Sequence, residues 1–139
     1  MTTLSVKKVM IRYFFRTPEF PLICDAGNVL IGAVSPEDFE AQMARLDLPL
    51  DETLTVIDVS GGNWVFYTQL STLSPLRRKN GWTKKEVIAL FNGSDTAKKL
   101  GKQYSDRSLS AKRFDRIFTE IVELIQIANK SESPKAVIG

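Results

Sequence analysis

Twelve lysines and arginines fall between residues 77 and 116 of this 139-residue chain. They are Arg77, Arg78, Lys79, Lys84, Lys85, Lys98, Lys99, Lys102, Arg107, Lys112, Arg113 and Arg116, set against Glu86, Asp95, Asp106 and Asp115. Cations at this density neutralise phosphates, and the counterions they release supply affinity that does not depend on base sequence. Up to Leu70 the chain carries five basic and nine acidic residues, a net of −4. After it there are fourteen and seven, a net of +7 within a chain of net +3. Such asymmetry predicts an anionic partner, nucleic acid or another polyanion, held through phosphates rather than base edges. The competing reading is a solvated face that keeps the protein dispersed.

Other catalytic routes are closed by composition. There is no histidine, which removes imidazole general bases, Ser-His-Asp and Cys-His schemes and histidine-ligated zinc. The single cysteine, Cys24, forms no internal disulfide, suits a reducing cytosol and reads as a small buried hydrophobe. Gly61-Gly62 lacks the following Lys-Ser/Thr of a P-loop. Asp25 and Asp58 occupy like places in two hairpins and could pair as oxygen ligands or as an acid/base couple. Aspartate beside a Gly/Asn turn is also ordinary turn chemistry. Trp64, Phe66 and Tyr67 could stack bases on an open sheet, but strand alternation puts Trp64 and Phe66 on one face, most simply the core. With no catalytic motif, no cofactor and no metal, a non-enzymatic binding protein is the expectation.

The elements that must carry these residues are marked by local chemistry. Val9, Ile11, Tyr13 and Phe15 alternate as one face of a first strand, whereas a helix would line up Lys8, Arg12 and Arg16; the β-branched and aromatic content, with Pro18 close behind, favours the strand. Two apolar runs flank Asp25-Ala26-Gly27-Asn28, predicting a hairpin. Ser35 as N-cap, Pro36 at the first helical position and Glu37-Asp38 behind them start a helix, with Val34 and Phe39 placed for a hydrophobic staple. Its narrow apolar stripe is Phe39, Met43 and Leu46. A second hairpin turns at Ser60-Gly61-Gly62-Asn63. The small residues of 71–82 read as a connector ending in Arg77-Arg78-Lys79, within reach of phosphates. Thr83 and Glu86 form a capping box, Trp82 and Val87 a staple, and Asn92-Gly93 a stop. A short helix follows, capped by Ser94 or Asp95 and weakened by Gly101. The last helix bears an apolar stripe of Phe114, Phe118, Ile121, Ile125 and Ala128, widened by Ile117, Val122 and Leu124. Here Lys112, Arg113 and Arg116 precede Glu120 and Glu123, the reverse of what the helix dipole favours, forgoing up to about 1 kcal/mol. A broken local rule is where function competes with stability.

A helix-turn-helix does not fit the basic region. With Gly93 in the turn, Asn92, Ser94, Lys99 and Lys102 occupy positions that must be apolar. With Gly101 there, Lys102, Arg107 and Ser110 do.

The stretch "FPLICDAGNVLIGAVSPEDFE" resembles the strand-strand-helix half of a CBS domain, the adenosine-ligand sensing module. Gly32, Ser35 and Asp38 are similar to that family's ribose-contacting corner, and the resemblance implies a nucleotide sensor. It spans about twenty residues. The second hairpin lacks the equivalent Ser/Thr-x-x-Asp, and helix capping accounts for Ser35 and Asp38 without a ligand.

The expectation is therefore an α+β fold. An antiparallel sheet forms from two ββα-like units plus an N-terminal strand, with helices on one side and a C-terminal helical part following. Residues 1–130 form a single domain, sheet-rich over 1–75 and helical and basic over 80–129, with a flexible tail over 131–139. The leading function is polyanion binding through the basic helical surface. The rival is a protein partner or a homodimer packed on the apolar stripe of the last helix. No segment has the length of a membrane span, and a cytoplasmic protein is expected.

Overall fold

The structure, a computed structural model, describes residues 10–27, 29–46, 52–77, 81–105 and 112–130, and the backbone alone of 131–138. In chain order the elements are β1 (Arg12–Tyr13), β2 (Leu22–Asp25), β3 (Leu30–Ala33), α1 (Pro36–Ala44), β4 (Thr53–Asp58), β5 (Asn63–Tyr67), β6 (Thr72–Pro75), α2 (Lys84–Asn92), α3 (Asp95–Leu100) and α4 (Phe114–Ile138). The strands form one mixed sheet in the order β1-β6-β5-β4-β2-β3. β1 runs parallel to β6 and every other pairing is antiparallel. This is the α+β arrangement that the sequence predicts.

Several features differ from the sequence reading, beginning with the parallel pairing of β1 in a sheet expected to be antiparallel. β6 lies in the stretch expected to be a plain connector: the turn at 68–71 brings Leu73 opposite Phe66 and Thr72 opposite Tyr67. β1 is two residues long, because the chain leaves the strand after Tyr13. The helices also take both faces of the sheet. On one side Phe39 and Met43 of α1 pack with Leu22, Cys24, Ile31, Leu54, Val56, Trp64, Phe66 and Leu73. On the other, α2, α3 and α4 bury Val87, Phe91, Ala97, Phe118, Ile121 and Ile125 against Ile23, Leu30 and Ile57. Alternation explains the division, since β2 up to Asp25 and β3 throughout carry non-polar residues on both faces and so need cover on both sides. Trp64 and Phe66 are core residues, while Tyr67, Thr53 and Thr55 stay exposed beyond the helical layer.

Helix ends follow the predicted chemistry. Ser35 Oγ accepts from Asp38 N–H at 3.1 Å, and Thr83 and Glu86 close both halves of their capping box. Gly101 does not weaken α3 from within. It ends α3 in the left-handed conformation (φ 67°), which glycine adopts without a Cβ penalty.

The β3 edge of the sheet is sealed. Leu30 N–H donates to Thr96 Oγ1 at 3.2 Å, and Leu30 C=O accepts from Asn129 Nδ2 at 3.2 Å. Gly32 C=O accepts from Gln42 and Gln126, and Val34 N–H donates to Asp38. Side chains from three helices thus occupy groups that a neighbouring strand would otherwise use. No helix among the described residues is long and apolar enough to cross a membrane.

Candidate functional site

The β4–β5 turn is organised by Asp58, whose side chain is wholly buried. Its Oδ1 accepts from Ser60 Oγ at 2.6 Å, Gly62 N–H at 2.8 Å and Ser60 N–H at 3.0 Å. Its Oδ2 accepts from the Trp64 indole N–H at 2.9 Å, with Glu19 N–H at 3.5 Å. A buried carboxylate survives only with such a donor set, and here the set also fixes the turn and the indole. Arg16 lies over the buried Trp64, its guanidinium carbon 4.8 Å from the ring centre, a cation–π contact.

Asn63, the first residue of β5, ties down the loop that follows β6. Its side-chain N–H donates to Leu76 C=O at 3.2 Å, and its oxygen accepts from the Trp82 indole at 2.9 Å. Gly81 sits at φ 61°, and a Cβ there would lie 2.9 Å from Gly61 C=O, so only glycine lets the two turns touch.

Between these tied segments opens a cleft of about 470 Å³. Arg16, Arg77, Phe15, Pro75 and Leu76 line it, with Gly62, Asn63 and Gly81 completing the wall. Phe15 is 87% exposed and Phe14 56%. Neither guanidinium has a carboxylate or hydrogen-bond partner among the described residues; that of Arg16 rests on Trp64.

The twelve cations that the sequence singles out divide into groups. Arg78, Lys79 and Arg107 lie outside the described residues. Arg77 lines the cleft. Lys84, Lys112, Arg113 and Arg116 gather at the start of α4, where Lys84 Nζ donates to Lys112 C=O at 2.7 Å. Phe114, next in the chain, is within van der Waals reach of a Cβ at Gly61, so this group borders the turn that backs the cleft. Lys98 and Lys99 belong elsewhere: Lys99 Nζ donates to Ala128 C=O at 3.0 Å, roughly 20 Å further along α4, while Lys102 lies between the two groups and lines a pocket with Lys112, Glu120 and Ile127. Lys85 and Lys102 are exposed.

Much of the helical charge is neutralised internally. Lys112 and Arg116 pair with Glu120 at 2.8 and 3.5 Å, Arg113 with Asp115 at 3.3 Å, and Lys98 with Asp95 at 3.9 Å. Hydrogen bonding from Lys112, with help from Tyr104, holds the Glu120 carboxyl below the ordinary glutamate range. Burial, then the charge of Glu120, pushes the Tyr104 phenol up. The inverted charge order at the start of α4 has a structural cause here, because Glu120 gathers the cations that the helix dipole disfavours.

The remaining candidates are accounted for by structure. Asp25 Oδ1 accepts from Gly27 N–H at 3.2 Å. In register it stands opposite Thr55, whereas Asp58 stands opposite Leu22, so the two aspartates lie on opposite faces and do not meet. No group of three metal-ligating side chains occurs among the described residues. Cys24 is buried, which pushes its thiol up and away from thiolate chemistry. Burial and the neighbouring Glu40 and Glu37 push Tyr13 up to about 12. Asp38 accepts from Val34, Gln42 and Gln126, and a Cβ on Gly32 would press on Val122 at 3.1 Å. Packing therefore explains the Gly-x-x-Ser-x-x-Asp corner. The apolar stripe of α4 is turned inward onto the chain's own sheet, with Ile117, Phe118, Ile121, Val122, Ile125 and Ala128 all buried.

Sequence reasoning missed Arg16, Phe14 and Phe15 as site residues, placing Phe15 on one face of a longer strand with Ile11 and Tyr13. The available signal was Pro18 and Pro21, which end extended pairing soon after Tyr13. Comparisons with protein-family models, curated proteins and solved structures find no match to this chain.

Proposed function

We propose that this protein binds an anionic polymer at the end of the molecule where the Arg16–Arg77 cleft meets the start of α4. The observation that carries the reading is the contrast in pairing. The cations of α3 and α4 are largely matched to carboxylates, while Arg16 and Arg77 face one open cleft with no acidic partner among the described residues. Two guanidiniums held apart by tied backbone can contact successive anionic groups without losing much freedom on binding. Lys84, Lys112, Arg113 and Arg116 form an outer rim in this reading, contributing field more than direct contacts. The expected behaviour is salt-sensitive retention on a polyanion column that fails when Arg16 and Arg77 are reversed in charge. Retention that persists in that variant would remove the cleft from the function.

A further inference from the structure

We infer that the polymer is a single-stranded nucleic acid, with an unpaired base stacked on Phe15 and flanking phosphates on Arg16 and Arg77. This rests on the anion-binding reading of the cleft and adds what the charges do not explain. Phe15 is the centre of a tight turn in which Arg16 N–H donates to Phe14 C=O at 2.7 Å, with φ of 68° at Phe15. That is a strained three-residue turn in a region that bulky residues rarely visit. Hydrophobic burial does not explain the phenylalanine, because its ring is 87% exposed. Strain spent on presenting an aromatic ring to solvent is a feature of binding sites rather than of cores.

The surroundings suit a base. Phe14 meets Phe15 edge-on, ring centres 5.4 Å apart, which steadies the ring while leaving surface for a ligand. Arg16, the next residue, is laid on Trp64 and so is pre-positioned beside the stacking ring. Across the cleft stand Arg77 and the apolar Pro75 and Leu76, while Gly62 and Gly81 keep the wall free of side chains and open to close approach. A duplex hides its base faces inside the helix, and a sulfated sugar or a polyphosphate has no aromatic ring to offer. An unpaired nucleotide supplies both the π-face and the phosphates, and stacking of this kind tolerates any base.

The test compares three probes by fluorescence anisotropy or competition at low salt, the single strand and the polyphosphate being matched in charge. They are an oligothymidylate of roughly 12 nucleotides, the corresponding duplex and inorganic polyphosphate of matched length. The wild-type chain should bind the single strand about tenfold or more tightly than polyphosphate, and more tightly than the duplex. Phe15→Ala should erase that advantage and Phe15→Trp should restore it, with circular dichroism showing both variants folded. Equal affinity for oligothymidylate and polyphosphate would overturn the stacking inference while leaving the anion site standing. Binding of neither probe would overturn both. A concentration-dependent dimer that Phe15→Ala dissociates, with no oligonucleotide bound, would instead make a second copy of the chain the occupant.

Discussion

Two side chains show at the residue scale how local chemistry builds the site. Asp58 carries a buried charge whose donors come from its own turn and from Trp64, so its loss loosens the turn and the platform under Arg16 together. Asp58→Asn keeps the shape but sets an amide N–H against donors. It should cost about 2–4 kcal/mol in urea unfolding followed by tryptophan fluorescence. An unchanged midpoint would mean that the turn is held by something else. Phe15 predicts the opposite sign. Phe15→Gly should raise stability by about 1 kcal/mol, since glycine relieves the positive φ and little buried area is lost. A loss of stability would show the ring to be structural. The sequence made Asp58 legible as a turn residue, because Ser-Gly-Gly-Asn follows it. It did not reveal the buried indole bond, which depends on strand register. Phe15 was misread for a related reason: alternation continues on paper after the backbone has turned away.

Among the elements, those with explicit start signals were the legible ones. Ser35-Pro36, Thr83–Glu86 and Ser94 each begin a helix where the sequence predicts, because capping is decided within four residues. β6 was hidden, since Thr-Leu-Ser-Pro has no pattern of its own and pairs only because β5 lies beside it. The inward turn of the α4 stripe was equally invisible, as periodicity shows a face but not what covers it. The junction of α4 with the preceding chain makes a pH prediction. Glu120 is held below its ordinary range by Lys112, Tyr104 and Arg116, so its contribution is complete above that range and is lost as pH falls through it and below. Glu120→Gln should therefore be less stable than wild type at neutral pH by about 0.5–1 kcal/mol, the size of a partly exposed ion pair. The gap should close as the pH drops below about 4. Equal acid sensitivity across that range would show the pairing to be energetically idle.

Over the whole molecule, the charge asymmetry read from the sequence is real, but folding sorts it in a way that composition cannot. Lys98 and Lys99 go to one end of α4. Lys84, Lys112, Arg113 and Arg116 go to the other, beside a cleft whose guanidiniums, without a carboxylate partner among the described residues, come from residues far apart in the chain. Arg16 escaped notice because it belongs to the acidic half and joins Arg77 only through the β1–β6 pairing. The sealed β3 edge and the inward face of α4 leave the cleft end as the surface that combines open cations with exposed aromatic rings. The central claim is that this end, and not the basic helices at large, holds the anionic polymer. Its most direct test is salt-titrated binding of a labelled single strand to two charge-reversed proteins, Arg16→Glu/Arg77→Glu and Lys98→Glu/Lys99→Glu. Both variants remove the same net charge. The first should lose at least about tenfold in affinity and show a shallower salt slope, while the second should stay within about twofold of wild type. Equal losses in the two variants, or a larger loss in the second, would contradict it.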